Sequence, residues 1–203
     1  KKFADFASDL RQHLMTRVTP YTVLKAATRE RASVADHVEH SLDKALDNLN
    51  LLRSNLNREG LVELAKLIHR SRRVIVIGVD FAASLAYYFA YGLVTLGFDA
   101  EAPIGSEGNL QHKLKVLTPK DLLIGISFGQ CLRVTVEAVR RARNTGVITF
   151  GITDSDTTPI ARYAERHLIA GVFSPSFLNS YVAPVALIKA INVGCALVDP
   201  EPS

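Results

Sequence analysis

Three short stretches of this sequence hold residue types that can bind a ligand. The first is Gly78-Val79-Asp80-Phe81-Ala82-Ala83-Ser84, which leaves a β-branched run and opens a helical one. A loop entering a helix leaves backbone N–H groups free to meet an anion, so Gly78, Asp80, Ala82 and Ser84 are candidates. The spacing is not Gly-x-Gly-x-x-Gly, and Asp80 puts a negative charge where a pyrophosphate would lie, which argues against a dinucleotide. The second stretch is Ser127-Phe128-Gly129-Gln130-Cys131-Leu132-Arg133. Ser127 and Gln130, either side of Gly129, offer hydrogen bonds at a helix N-terminus and Arg133 offers a positive charge. The plainer alternative is that Ser127 and Gln130 only cap the helix. The third is Gly151-Ile152-Thr153-Asp154-Ser155, followed by Thr158-Pro159, which reads as an N-cap with proline at the first helical position. For proton transfer the candidates are Glu107, at the head of a helix, then His112, His37 and His40. The same Glu107 also suits a helix N-terminus on electrostatic grounds alone, and the histidines suit a solvated surface. Gly-x-Ser-x-Gly, His-Glu-x-x-His and a Walker loop are absent.

The elements that must hold these loops follow from periodicity. Val74-Ile75-Val76-Ile77-Gly78 predicts a strand buried on both faces. Beyond it, strands at Phe98–Ala102, Asp121–Ile126, Val147–Ile152 and His167–Ala170 alternate with helices at about 82–96, 107–116, 131–144, from Thr158, and 177–197. Such alternation predicts an α/β fold, a three-layer doubly wound five-stranded parallel sheet, with an N-terminal helical segment. In that segment Phe3, Phe6, Ala7, Leu10 and Leu14 mark a short helix, interrupted by Thr19-Pro20. Ser33 reads as an N-cap. Val38, Leu42, Ala45, Leu49, Leu52 and Leu56 then recur at four and three, a heptad seam that faces another helix. That helix either packs onto its own domain or is exchanged across a dimer. Gly60 is expected to end it, with a further helix over Leu61–Arg70. The last helix is apolar around most of its circumference, as a buried or interfacial helix is.

At 203 residues, 48% hydrophobic and 22% charged, the chain suits one domain with a helical appendage and excludes collagen-like and disordered classes. Its net charge of +4 lies wholly in residues 1–73, where 14 Lys and Arg face 9 Asp and Glu. They alternate on helical patterns, which favours a solvated surface over a nucleic-acid face. Two cysteines, Cys131 and Cys195, form neither a disulfide framework nor a metal knuckle. With no apolar run of ~20 residues and no secretory leader at Lys1-Lys2-Phe3, a cytoplasmic protein is expected.

The order and spacing of the three loops on successive strands resemble the sugar isomerase (SIS) domain. With the helical N-terminal segment and Arg133-Val134-Thr135-Val136-Glu137-Ala138, residues 35–198 resemble the effector domain of RpiR/MurR-type transcriptional regulators. The resemblance implies a domain that dimerises and responds to a phosphorylated sugar or related metabolite, while a preceding helix-turn-helix domain binds DNA. On this reading residues 1–30 are the remnant of that DNA-binding domain and its linker. Residues 31–203 are the effector-binding and dimerisation domain, with leading helices over 33–70. The loop before the last helix can close over the ligand in such regulators, which adds Asn179 and Ser180. The family pattern carries a serine in the first loop and Ser-x-Ser-Gly-x-Thr in the second. Here Ala82, Gly129 and Leu132 replace three of the four hydroxyls, Gln130 replaces the glycine, and only Ser127 is kept. Each such hydrogen bond to a charged group is worth roughly 1.5–3 kcal/mol. Phosphate held by backbone and Arg133, a less charged ligand, and a pocket retired from binding are the three readings. The expectation is a non-catalytic sensor without cofactor or metal, its partners a small sugar effector, a second copy of itself and, through the missing domain, DNA. The alternatives are a phosphosugar isomerase or lyase using Glu107 or a histidine, and a bare dimerisation module.

Overall fold

The computed structural model describes residues 33–103, 107–129, 131–175 and 178–198. The expected Phe3–Leu14 helix, the Thr19-Pro20 break, the 1–30 remnant and Gln130 lie outside these residues.

Helix α1 spans Val34–Asn55, and the Ser33 hydroxyl caps it by accepting from the Asp36 N–H at 3.2 Å. Its expected seam divides in two. Leu49, Leu52 and Leu56 pack onto the body of the same domain, whereas Val38 and Leu42 are 54% and 61% exposed. Gly60 does not end this helix. The chain turns at Leu56 and Asn57, because the Asn57 side chain caps the next helix by accepting from the Gly60 N–H at 2.8 Å. That places Gly60 in the first turn of α2 (Arg58–Arg70).

The strands are β1 (Val74–Ile77), β2 (Ala100–Glu101), β3 (Leu122–Ile126), β4 (Ile148–Thr153) and β5 (Arg166–Ile169). All pair in parallel in the order β2-β1-β3-β4-β5. The central three are β-branched and leucine-rich and almost wholly buried, as a sheet covered on both faces requires. The second strand is only two residues long, and the fifth starts one residue earlier than expected. Between them run α3 (Phe81–Thr95), α4 (Glu107–Lys115), α5 (Arg133–Asn144), α6 (Pro159–Tyr163) and finally α7 (Val182–Leu197). Thr158 does cap α6, accepting from the Ala161 N–H at 3.2 Å, with Pro159 at the first helical position.

Two apolar layers sandwich the sheet. On one face α2, α3 and α7 bury Leu64, Ile68, Phe89, Leu93, Leu187 and Ile191 against β1, β3 and β4. On the other, α5 and α6 bury Val139, Ala142 and Ile160, and α4 adds Leu110 and Leu114. Gly125 in β3 permits the approach of α5: a Cβ there would stand 2.5 Å from Val139 Cγ2. The last helix is less completely covered than its composition suggests, since Val182, Val185, Val193 and Leu197 are exposed while Leu187, Ile188 and Ile191 are buried. Its Cys195 is buried, and desolvation pushes the thiol up to about 12.

One buried charge ties the sheet to the chain before it. Asp121, fully buried just ahead of β3, accepts from Arg72 Nε at 2.9 Å and Nη2 at 2.8 Å, and from the Thr118 N–H at 2.7 Å and Oγ1 at 2.9 Å. The Arg72 hydrogen bond foremost, then those from Thr118, hold its carboxyl below the usual carboxylate range against the opposing effect of burial. The sequence shows Asp121 only as the first residue of a strand, and gives no sign of the partner 49 residues away.

Candidate functional site

In an open parallel sheet a ligand crevice forms where neighbouring strands send their connections to opposite faces. Here those neighbours are β1 and β3. The chain leaving β1 enters α3 on one face, and the chain leaving β3 enters α5 on the other. The first two candidate loops therefore flank one crevice at the carboxyl ends of the strands.

The first loop is a tight turn. Asp80 adopts φ 54 and ψ −127, and the Ala82 N–H donates to the Val79 carbonyl at 3.2 Å across it. A backbone in this region is normally glycine's, so the turn holds Asp80 in a strained conformation at the head of α3. The Asp80 side chain makes no capping bond and is exposed. A side chain at Gly78 would collide with the Ala82 carbonyl, at 2.4 Å from a Cβ. Ala82 itself faces the core, with its methyl buried and its N–H already bonded, so it offers the crevice nothing. Ser84 is exposed on the first turn of α3.

In the second loop Ser127 is buried, its N–H bonded to the Ile152 carbonyl at 3.1 Å. Its hydroxyl makes no hydrogen bond to the described residues, and it is not the helix cap: Leu132 holds that position and provides no side-chain bond. Gly129 has φ +60, and its N–H donates to Asp154 Oδ1 at 2.9 Å, which joins the second loop to the third. Arg133 opens α5 and is exposed. Its charge also acts along the helix: Glu137 is held below the usual carboxylate range first by its hydrogen bond from Arg140, and further by the nearby Arg133. In the third loop Thr153 is buried and donates to Thr158 Oγ1 at 3.0 Å.

The fourth wall comes from the chain before α7. The Ser180 N–H donates to the Val172 carbonyl at 3.0 Å, and the Asn179 amide approaches Gly129. Tyr181, the residue preceding α7, stacks on Phe81 with ring centroids 4.2 Å apart and planes 18° from parallel. It also meets Phe128 edge-on, 5.7 Å away at 70°. Tyr181 thus joins the first and second loops through aromatic contact. One face of this stack is open, for Phe81 is 53% exposed. The sequence reading passes over all three rings as site residues. Their signal was available only for Phe81 and Phe128, which stand inside the quoted loops; Tyr181 lies 100 residues from Phe81 and only folding reveals it.

Glu107 begins α4 at the carboxyl end of β2, beside β1, on the same rim of the sheet. The Glu107 side chain lies outside the described atoms. His112 is exposed on α4, and His37 and His40 are on α1. Among the described residues no group of three or more His, Cys, Asp or Glu could hold a metal, and no helix is long and apolar enough to cross a membrane. A separate groove of about 490 Å³ runs along β5, where Arg166 pairs with Glu63, and His167 with Asp156 at 2.8 Å. None of the loop candidates lines it.

A doubly wound α/β domain with loops converging on a switch-point crevice defines a class of small-ligand-binding domains. Residues 67–193 match the SIS domain family, and the chain belongs to it. Among solved structures it is similar to the sugar isomerase domain of an RpiR transcription factor from Sphaerobacter thermophilus, 30% identical, with a TM-score of 0.75 over 77% of this chain and 88% of that one. It is also 27% identical over 116 residues to an uncharacterized helix-turn-helix-type transcriptional regulator from Haemophilus influenzae. That match takes in 57% of this chain, which spans 40% of the curated relative. The fold recurs in Vibrio vulnificus NanR complexed with ManNAc-6P, 18% identical, with a TM-score of 0.69 over 96% of this chain and 69% of that one. It recurs equally in an enzyme, phosphoheptose isomerase from Neisseria gonorrhoeae, 18% identical, with a TM-score of 0.69 over 82% of this chain and the whole of that one.

Proposed function

We propose that this chain is the effector-sensing and dimerisation domain of an RpiR-type transcriptional regulator, binding a sugar phosphate or related sugar metabolite without transforming it. The observation that carries the reading is its 30% identity, over most of both chains, to the sugar isomerase domain of an RpiR factor. The crevice supports it as well: the first, second and last loops meet through Phe81, Phe128 and Tyr181, so a molecule seated there touches elements from both sides of the sheet. A ligand that binds one arrangement of those loops better than another shifts the population between them, which is the requirement for sensing. DNA contact belongs to a helix-turn-helix domain ahead of residue 31, and the setting is cytoplasmic.

The partner is a second copy of the chain. Tyr87, Tyr88, Tyr91 and Val94 on α3, and Val182, Val185 and Val193 on the adjoining α7, are all exposed. Apolar surface of this extent on neighbouring helices marks an interface. The exposed half of α1, with Val38 and Leu42, extends it.

Isothermal titration of the chain with a panel of sugars and sugar phosphates, paired with an isomerase assay on each, tests the proposal. Binding without turnover supports a sensor. Turnover abolished by Glu107→Gln with binding retained favours the isomerase reading, for which the shared fold of phosphoheptose isomerase and the place of Glu107 at the head of α4 speak. Dimerisation with no ligand in either class favours a bare dimerisation module.

A further inference from the structure

The crevice lies at the carboxyl ends of the strands, and the opposite rim of the sheet carries a charge of its own. Residues 74–203 hold 10 Lys and Arg against 11 Asp and Glu, so the sequence shows no excess there. The fold segregates them. All five strands are parallel, so each connecting helix runs back and brings its last turn to the amino-end rim. On the face covered by α4, α5 and α6, those last turns carry Lys115, then Arg141 and Arg143, then Arg162, and Lys120 stands just ahead of β3. Contacts draw the three helix ends together. Arg141 Nη1 donates to Gln111 Oε1 of α4 at 3.3 Å, and Arg143 Nη1 donates to the Tyr163 carbonyl of α6 at 3.1 Å. Gly146, after α5, faces Pro119, the neighbour of Lys120: a Cβ there would stand 3.6 Å from Pro119 Cγ.

All five cations are exposed, and none forms an ion pair among the described residues. Acidic side chains of the adjoining elements are engaged by other cations: Asp99 by Arg73, Glu101 by Lys113, Asp121 by Arg72 and Glu137 by Arg140. Glu165, directly after α6, is left to offset one charge. Cations also suit helix C-termini, but each terminus is equivalent to only about half a negative charge, so roughly two of the five positive charges stay unbalanced.

The rim lacks what a protein partner needs. Exposed large apolar side chains gather on α1, α3 and α7, whereas Val116 alone adjoins these cations, Leu132 being at the far end of α5. Protein interfaces are anchored by buried apolar and aromatic groups, while a phosphodiester backbone asks only for positive charge. A guanidinium fork matches a phosphate group, and three of the five cations are arginines.

We propose that this rim binds the phosphate backbone of duplex DNA irrespective of base sequence, as a contact additional to that of the preceding domain. The choice of polymer rests on the regulator reading, under which a tethered DNA raises the local concentration enough for a weak patch to count.

The test is fluorescence anisotropy of the whole chain with a labelled duplex of arbitrary sequence, over about 0.05–0.2 M salt. The triple variant Lys115→Ala, Arg141→Ala, Arg162→Ala is expected to bind at least tenfold more weakly than wild type. Its plot of log affinity against log salt is expected to be shallower by about 2–3, since each lost phosphate contact removes ~0.9 from the slope. A control triple, Arg53→Ala, Arg58→Ala, Lys189→Ala, removes the same charge from exposed positions on α1, α2 and α7 and is expected to bind like wild type. Melting curves of both triples are expected to match wild type, as suits exposed side chains. If the rim triple binds DNA like wild type, or both triples weaken equally, the rim is not the contact and the proposal fails. A chain that ignores DNA and binds poly-glutamate at the same salt has an acidic protein as its partner, which also overturns it. The sugar titration is independent of every one of these outcomes, so sensing stands or falls separately.

Discussion

Ser127 and Asp121 are both buried polar residues at the two ends of one strand, and they answer to different demands. Ser127 stands at the crevice end of the strand with a buried hydroxyl that makes no hydrogen bond to the described residues, capacity that a ligand or solvent can use. Ser127→Ala should therefore weaken ligand binding about tenfold, or ~1.4 kcal/mol, and leave thermal stability nearly unchanged, which titration and a melting curve together would show. Asp121 is wholly satisfied from within. Replacing it by Asn should cost about 2 kcal/mol of stability at neutral pH through the loss of charge-assisted bonds. Its folded-state pKa is depressed, so the stabilisation is fully present above the unfolded value of ~3.9 and is lost as pH falls through the lower folded value. Melting curves taken from pH 6 down to 3 should show the wild type and Asp121→Asn converging at the acid end. The sequence displays the first of these residues and conceals the second. Ser127 stands in a loop between a strand and a helix, where a polar side chain invites attention, whereas Asp121 depends on Arg72, and no local pattern announces a pair so far apart.

At the scale of elements, the strands were legible because they are continuous β-branched runs, and Val74–Ile77, Leu122–Ile126 and Ile148–Thr153 fall within a residue or two of expectation. The boundary of α1 was not, because Gly60 looks like a stop and Asn57 is the residue that acts as a start. Three walls of the crevice were legible in the residues themselves, and the fourth, with Asn179 and Ser180, only through the family resemblance. The last wall needed the chain between β5 and α7 to fold back, and Asn48 of α1 is what secures it: its Nδ2 donates to the Phe173 carbonyl at 2.7 Å, and its Oδ1 lies close against Gly171. A buried asparagine within an otherwise leucine-bearing helix face reads in sequence as an irregularity. Asn48→Ala leaves that carbonyl unsatisfied, so a loss of about 1–3 kcal/mol is expected, with faster amide exchange confined to residues 171–181 and weaker binding of any ligand that contacts Tyr181. Exchange that rises uniformly across the sheet instead would show that Asn48 supports the domain as a whole.

For the whole molecule, the exposed tyrosines of α3 matter more than any loop. Tyr91 is 59% exposed and stacks on Tyr87 one turn away, so little within the chain depends on it. Tyr91→Glu should turn a dimer into a monomer in sedimentation analysis and leave the far-ultraviolet circular dichroism unchanged. A variant that stays dimeric would move the interface to the projecting half of α1. The inequality of the two cysteines bears on the same experiment. Cys195 is buried with its thiol pushed up to about 12, so it stays protonated and out of reach of reagents. Cys131, partly accessible, sits in the second loop beside the crevice. A maleimide dye or nitroxide added to the unaltered protein should thus attach once per chain, next to the ligand, and a dimer would carry two such tags at a fixed separation. The native molecule comes with its own spectroscopic ruler, one that reads subunit spacing and loop closure at the same time.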